Sequence, residues 1–169
     1  MKRRSSLKTA EALELVLSVT RRRGAPKEPS SDKLKKLFCR AWELVPQELL
    51  PDLPGHARVA VDVLVVADDE IAALNAAHLK ERGPTDVISY TMGEIDPERG
   101  AYHLGEIVAS HATAAREAEA RGLPPDEELA RYCVHGFLHL LGYEDETAAQ
   151  RKAMFAIQEK TLADRPFKK

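Results

Sequence analysis

The alternation of apolar and polar residues predicts four β-strands. From Val59 to Val65 a valine stands at every second position, so one face of that strand is apolar. Residues Leu13 to Val19 alternate in the same way, although leucine and glutamate also favour a short helix there. The predicted strands cover residues 13–19, 59–65, 86–92 and 104–110, with a polar loop at 93–103.

Apolar residues three or four positions apart predict five helices. Ser31 or Asp32 can cap the first helix, and Ser110 can cap the third. Gly122 and Gly142 stand where glycine, in a left-handed conformation, commonly ends a helix. The predicted helices begin near residues 31, 68, 110, 125 and 146 and end near residues 45, 79, 120, 141 and 162.

These elements predict one α+β domain, in which about five helices pack a small mixed four-stranded sheet. A chain of 169 residues is long enough for one hydrophobic core, and its sequence shows no internal repeat and no second domain. We expect residues 13–165 to form the domain and residues 1–12 to be a disordered basic arm.

The charge of the chain is unevenly distributed. Residues 1–40 hold 12 Lys/Arg and 4 Asp/Glu, whereas the remainder holds 13 and 23, for a net charge of −2. A basic arm on an acidic body is compatible with a nucleic-acid partner, although charge runs are more often solvated surface. The apolar stretches are far shorter than the ~20 residues that cross a membrane, and Glu11 and Glu14 interrupt the stretch nearest the N-terminus. We therefore expect a cytoplasmic protein that does not bind membranes.

A candidate metal site lies between His135 and Asp145. Histidines four positions apart lie one above the other on a helix, so His135 and His139 can share one ion. Gly142 can end that helix and turn the chain back, which brings Asp145 into reach as a third ligand. Three protein ligands and one open position are typical of a catalytic zinc site, so we expect one Zn²⁺ per chain at the end of this core helix.

The same residues allow other interpretations. Two helix histidines can form ordinary hydrogen bonds, and Asp145 can instead cap the last helix. Glu144 and Glu146 are rival third ligands, although we expect their side chains to point elsewhere in the turn. The spacing also matches metzincin metalloproteases, but Gly136 stands where those enzymes carry the glutamate that activates water. The glycine argues against a protease.

The segment HGFLHLLGY at 135–143 resembles the signature HGxLHLxGYDH of the YbeY family, the bacterial rRNA-maturation endoribonucleases. Seven of the nine specified positions match. Upstream, LN at 74–75, PTDVISY at 84–90 and LGEIV at 104–108 are similar to the family's LN, PTDVLSF and LGDIV segments. The resemblance covers most of residues 13–160.

This resemblance implies an α+β fold and a single-zinc enzyme that cleaves single-stranded RNA. It implies a role in small-subunit rRNA maturation and ribosome quality control, with rRNA and the ribosome or its proteins as partners and no DNA expected. Thr85, Asp86, Ser89 and Gly136 match family positions beside the cleft. Capping and strand pairing would explain the first three equally well, and Asp86 could instead hold a ligand histidine in one tautomer.

Two positions depart from the family pattern. The family's third ligand is a histidine, and Asp145 takes its place here. A carboxylate lowers the net charge on the metal, so we expect a higher pH optimum. The family's functional arginine aligns with Leu79, which leaves Lys80 or Arg82 to contact the phosphate, although lysine and arginine are not equivalent at a bidentate site.

Three hypotheses follow from these residues and this resemblance. The first is a zinc-dependent endoribonuclease. The second is a metalloprotease-like zinc hydrolase, and the third is a ribosome-binding protein whose zinc is largely structural. The missing arginine favours the third hypothesis over the second.

Overall fold

The computed structural model describes residues 13–53, 58–78, 83 and 85–163. Within these ranges the strands are β1 (Glu14–Arg21), β2 (Arg58–Val66), β3 (Val87–Asp96) and β4 (Ala101–Ser110). The α-helices are α1 (Ser31–Leu44), α2 (Asp68–His78), α3 (His111–Arg121), α4 (Pro125–Leu140) and α5 (Ala148–Leu162), and a short 3-10 turn (Gln47–Leu49) follows α1. The predicted α+β fold class is confirmed. The expected basic arm at 1–12 lies outside the described residues.

The four strands form one mixed sheet in the order β1-β2-β4-β3. Strand β2 pairs in parallel with β1 and β4, whereas β3 pairs antiparallel with β4. The valines from Val59 to Val65 point into the main core as predicted. Val66 and Val108 point to the other face, where they pack with Ile71 of α2 in a smaller cluster. Both faces of the sheet are therefore covered over part of their length.

The predicted loop at 93–103 is wrong for most of its length, because β3 and β4 form one long hairpin. Asp96 Oδ1 accepts hydrogen bonds from the backbone N–H groups of Glu98 and Arg99, at 2.9 and 3.2 Å, and so closes a tight turn. Residues 91–95 of β3 are exposed to solvent. They include the apolar residues Met92 and Ile95, but these do not alternate with polar residues at every second position, so the sequence gives no pattern from which to predict a strand.

Helix α4 is buried along most of its length and carries the histidines of the candidate metal site. It packs against β3 and β4 and also contacts α1, α3 and α5. Phe137 of α4 stacks on Phe38 of α1, with ring centroids 4.5 Å apart. A helix held by so many neighbours offers rigid positions for ligands. In the described part of the chain, no helix combines the length and the apolar character that crossing a membrane requires.

The cap predicted for α3 is confirmed, whereas the cap predicted for α1 is wrong. Ser30 caps that helix instead of Ser31 or Asp32, since its side chain accepts a hydrogen bond from the third residue after it. Ser110 caps α3 as predicted, and Gly122 ends it in the left-handed region with a φ of +64°. At the ends of α1 and α3 the local signals are thus accurate to about one residue.

Candidate metal centre

His135 and His139 face one another from successive turns of α4. Their Nε2 atoms are 3.1 Å apart, and their ring centroids are 4.7 Å apart. The two side chains are 16% and 29% exposed, so the point between them is open on one side to solvent. The spacing of four residues puts both rings on one helix face. The structure adds that both Nε2 atoms are directed toward the same point.

Asp145 approaches the same point from the turn that follows α4. Its Oδ2 atom lies 3.5 Å from Nε2 of His135 and 3.6 Å from Nε2 of His139. Gly142 allows this approach, because its φ of +97° reverses the chain in a conformation that other residues rarely adopt. The donor atoms of the three side chains lie within 4.8 Å of one another. The structure therefore brings together the three ligands that the sequence predicts.

Glu144, one of the rival third ligands, is engaged elsewhere. Its carboxylate accepts a hydrogen bond from Gln150 Nε2 at 3.0 Å. Gln150 also forms a capping box with Thr147, so α5 begins at Ala148 and not near residue 146. The shorter helix leaves the residues before it free to form the ligand-bearing turn.

In both histidines the Nδ1 atom, on the side of the ring away from the candidate metal position, contacts a hydrogen-bond acceptor. His139 Nδ1 lies 2.8 Å from the carbonyl oxygen of Tyr143, which can only accept, so this nitrogen carries the proton. His135 Nδ1 lies 2.9 Å from Gln158 Oε1. The Gln158 amide nitrogen in turn donates to the Glu159 carboxylate at 3.2 Å, which fixes the orientation of the amide. In the neutral form of each ring, Nε2 therefore carries the lone pair, which points at the third ligand.

This arrangement fits a metal ion. Two imidazole lone pairs 3.1 Å apart and a nearby carboxylate repel one another unless a proton or a cation lies between them. Two nitrogens and one carboxylate oxygen form a donor set that zinc accepts, and other divalent first-row metals accept it too. The residues present are thus compatible with a bound divalent metal, and solvent exposure on one side leaves room for a further ligand.

A buried arginine supports the residues behind His135. Arg131 is 9% exposed and donates to Glu159 at 2.9 Å and to Glu128 at 2.7 Å. Partial burial raises the pKa of Glu159, but the hydrogen bonds and the charge of Arg131 outweigh this effect and hold the pKa below its usual value. Glu159 is therefore ionised at neutral pH and can only accept, which keeps the oxygen of Gln158 turned toward His135.

A second group of possible ligands lies on the sheet, where Asp62, His103 and Glu106 bring donor atoms within 4.8 Å of one another. The Arg99 guanidinium already bonds both carboxylate oxygens of Asp62, at 2.7 and 3.3 Å. His103 Nε2 lies 3.0 Å from the same carboxylate. A cation thus already balances this carboxylate, so the group at His135 is the better candidate for a metal.

Comparison with known proteins assigns the chain to a family. The family model described as Endoribonuclease YbeY matches residues 24–165. The chain belongs to the YbeY family.

Relatives in this family are similar over most of the chain. Endoribonuclease YbeY of Corynebacterium aurimucosum is 39% identical, in an alignment that covers 73% of this chain and 74% of the relative. Endoribonuclease YbeY of Aquifex aeolicus is 40% identical over 124 residues, which cover 73% and 78%. The solution structure of a Thermotoga maritima protein superposes with a TM-score of 0.51 at 23% identity, covering 91% of this chain and 100% of that one. This structural likeness supports the fold.

Gly136 and Ser89, two positions of the YbeY signature segments, lie where α4 touches the sheet. Ser89 Oγ donates a hydrogen bond to the Gly136 carbonyl oxygen at 3.1 Å. A Cβ atom at residue 136 would lie 2.8 Å from Ile107 Cγ2 and 3.0 Å from Ser89 Oγ, closer than atoms pack in a core. A glutamate at this position, as in metzincins, would not fit unless α4 moved.

Thr85 and Asp86, which the resemblance led us to expect beside the cleft, lie immediately before β3. Asp86 Oδ1 accepts hydrogen bonds from the Val87 backbone N–H at 2.8 Å and from Thr85 Oγ1 at 3.2 Å. These contacts order the entry to the strand. The structure places Gln158 and Tyr143, rather than Asp86, on the Nδ1 atoms of the ligand histidines.

Lys80 and Arg82, the predicted phosphate contacts of this YbeY-family chain, lie outside the described residues, as does Leu79. Sequence analysis missed a cation on α5, Arg151. Its Nη1 atom donates to the carbonyl oxygens of Asp145 and of the next residue, at 2.9 and 3.0 Å. Arg151 is exposed, so its guanidinium both holds the ligand-bearing turn and faces solvent beside the candidate metal centre.

Sequence analysis also missed Gln158, the partner of His135. The spacing of Arg151 and Gln158 indicates only that the two residues share one face of α5. Arg151 and Gln158 are seven residues apart, which places them two turns apart on one face of a helix. Nothing in the local sequence indicated that this face of α5 packs beside the histidines of α4, since that contact depends on the tertiary fold.

Proposed function

We propose that the chain is a zinc-dependent endoribonuclease that cleaves single-stranded RNA in rRNA maturation, chiefly of the small subunit, and in ribosome quality control. The observation that carries the proposal is the convergence of His135, His139 and Asp145 in a chain of the YbeY family. Relatives described as endoribonucleases support the reaction class and an RNA substrate. An rRNA substrate would place this work at the ribosome, in the cytoplasm.

The three side chains would hold one Zn²⁺ through two Nε2 atoms and one carboxylate oxygen. When bound, zinc supplies a Lewis acid that polarises a phosphodiester oxygen and makes a water molecule more acidic. Through Gln158 and Tyr143 the chain favours, in both histidines, the tautomer whose Nε2 atom carries the lone pair. Such preorganisation raises metal affinity, because no tautomer has to change on binding.

Cations beside the site would hold the neighbouring phosphates. Arg151 is the described side chain best placed for this, since it is exposed and lies at the turn that carries Asp145. Lys80 and Arg82 stay predicted contacts from the segment before β3. We further propose that residues 13–165 form the catalytic domain, and that the basic arm at 1–12 adds sequence-independent phosphate contacts.

The packing around Gly136 weighs against the metalloprotease-like alternative. A metzincin uses a glutamate after its first histidine as the general base. Here the atoms of Ile107 and Ser89 fill that space. In the described residues, the His135 group therefore lacks the base that this class of protease uses to attack a peptide bond. The remaining alternative hypothesis is a ribosome-binding protein whose zinc is structural, and the assay below distinguishes it from an endoribonuclease.

An RNA cleavage assay tests this proposal. Wild type, chelator-treated wild type and His139→Ala are compared on a labelled single-stranded RNA, on the matching duplex and on an unstructured peptide. We expect cleavage of the single strand alone, loss of cleavage on chelation, recovery with zinc and no activity in His139→Ala. His78→Ala, which changes an exposed histidine of α2 outside the group, is the matched control. Peptide cleavage without RNA cleavage would support the protease, and ribosome co-sedimentation without any cleavage would support the binding protein.

A further inference from the structure

Helix α5 forms one wall of the candidate metal centre. Arg151, Phe155 and Gln158 follow one another at spacings of four and three, so they lie on one face of the helix. Arg151 contacts the ligand-bearing turn, and Gln158 contacts His135. Phe155 lies between them, and its ring centroid is 6.1 Å from that of His135, with the ring planes inclined by 34°.

The Phe155 ring is exposed to solvent, although the neighbouring residue in the helix is buried. Its side chain is 44% exposed, whereas the preceding residue, Met154, is fully buried in the core. The exposed large hydrophobic side chains in the described ranges are Leu49, Met92, Ile95 and Phe155. Phe155 alone among these four is aromatic. Single exposed apolar residues are ordinary on a protein surface, so its aromatic character and its place beside His135 are what set it apart.

The surroundings of this ring suit a nucleic acid. Arg151 and Lys152 are exposed one turn before Phe155, so cationic groups flank the aromatic face. Sites for single-stranded nucleic acid combine these two elements, with aromatic side chains that stack on the bases and cations that hold the phosphates. A base in a duplex has both faces covered by its neighbours and cannot stack on such a ring.

We propose that Phe155 is a stacking platform for an unpaired base next to the scissile phosphate. The inference rests on the proposed function, since it takes single-stranded RNA as the substrate. A base lying on the exposed face of the ring would place its backbone within reach of Arg151 and of the point on which His135, His139 and Asp145 converge. The platform gives a physical reason for single-strand preference that does not depend on the metal.

Binding of an uncleaved oligonucleotide tests the platform separately from catalysis. The zinc-loaded full-length protein is titrated with a 2′-O-methyl single strand that carries one 2-aminopurine, and with the matching duplex, and a denaturing gel after the titration verifies that the strand is intact. Affinity is read from anisotropy, and stacking is read from quenching of the 2-aminopurine. Phe155→Ala removes the ring, Phe155→Leu keeps an apolar side chain without a flat face, and Phe155→Trp keeps the flat face. Ile95→Ala is the matched control for the loss of an exposed apolar side chain elsewhere.

We expect Phe155→Ala and Phe155→Leu to weaken single-strand binding by roughly 5- to 100-fold and to abolish quenching. Phe155→Trp and Ile95→Ala should bind like wild type, and duplex binding should be equally weak in every variant. Wild-type affinity in both Phe155→Ala and Phe155→Leu would overturn the inference, as would a wild-type protein that binds no single strand. A wild-type protein that binds and quenches but cleaves no RNA would overturn the proposed function and leave the platform standing.

Discussion

The Oε1 atom of Gln158 lies 2.9 Å from the Nδ1 atom of His135, and this contact joins α5 to the candidate metal centre. The amide cannot simply rotate, because its nitrogen donates to Glu159, which Arg131 holds in turn. A chain of hydrogen bonds therefore determines which nitrogen of His135 carries the proton. The free nitrogen is the one that faces His139 and Asp145.

Replacing Gln158 should weaken metal binding without removing a ligand. Gln158→Met keeps the volume of the side chain but loses the acceptor, so His135 is no longer held in one tautomer. Loss of such a supporting hydrogen bond typically costs about 10- to 100-fold in metal affinity. Competition with a chromophoric chelator measures the zinc affinity directly. Gln158→Glu restores an acceptor and should recover part of the loss, and equal zinc affinity in wild type and Gln158→Met would refute the role of the contact.

Arg151 should matter to the ligand-bearing turn through its hydrogen bonds and not through its charge alone. Arg151→Gln removes the Nη1 donor to the Asp145 carbonyl oxygen, so Asp145 should be held less firmly. A charged hydrogen bond contributes about 1.5 kcal/mol, and we expect zinc affinity to fall about tenfold. Lys152→Gln makes the same charge change one residue away and is the control. Loss of positive charge alone would raise zinc affinity, because both cations repel the ion. If zinc affinity is no lower in Arg151→Gln than in Lys152→Gln, our interpretation of the turn is wrong.

Gly136→Ala should destabilise the fold although alanine favours a helix. The added methyl group would meet Ile107 Cγ2 at 2.8 Å and Ser89 Oγ at 3.0 Å. Overpacking of this kind costs about 1–3 kcal/mol, and the gain in helix propensity returns about 1 kcal/mol. The net loss should be up to about 2 kcal/mol in the free energy of unfolding, measured in urea. A variant at least as stable as wild type would show that α4 can move away from the sheet at little cost.

Asp68 should make the stability of the fold depend on pH in acid. Partial burial raises the pKa of this carboxyl group, but hydrogen bonds from Ser110, Thr113 and Arg116 and the charge of Arg116 outweigh this and lower the pKa to about 2 from 3.8. Between these two values the unfolded chain binds a proton that the folded chain does not. The stabilisation is therefore complete above pH 3.8 and is lost as the pH falls toward 2.

Comparison of wild type with Asp68→Asn measures this effect. Allowing for solvent screening, the carboxylate should contribute about 1 kcal/mol near neutral pH and little near pH 2. The difference in free energy of unfolding between the two proteins should therefore shrink as the pH falls through this window. A difference that stays constant from pH 6 to pH 2 would mean that the Asp68 pKa is not lowered in the folded protein.

The residues of the metal centre divide into those that local sequence can predict and those that it cannot. His135, His139 and Asp145 lie within one helix end and its turn, so helical periodicity and the left-handed Gly142 determine their proximity. Gln158, Arg151 and Phe155 come from another helix, and their position depends on how α5 docks against α4. That docking is decided by the whole core, and no pattern within α5 encodes it.

The fold shows the same division. The valine alternation predicts β2 because one face of that strand is buried and the register of apolar residues is strict. The far half of the β3–β4 hairpin has no buried face over residues 91–95 and so leaves no such signal. The side chain of Asp96 closes the turn of this hairpin. The residues around Asp96 are mostly polar, so the sequence alone predicts a loop, and only the pairing of the two strands shows a hairpin.

Zinc stoichiometry by elemental analysis tests the central claim, that His135, His139 and Asp145 hold one metal ion. The samples are wild type, His139→Ala, Asp145→Ala and the control Glu144→Ala, which removes a neighbouring carboxylate that Gln150 already engages. We predict one zinc per chain in wild type and in Glu144→Ala, with zinc lost from His139→Ala and reduced in Asp145→Ala. Full zinc occupancy in Asp145→Ala, or no zinc in purified and reconstituted wild type, would contradict the account.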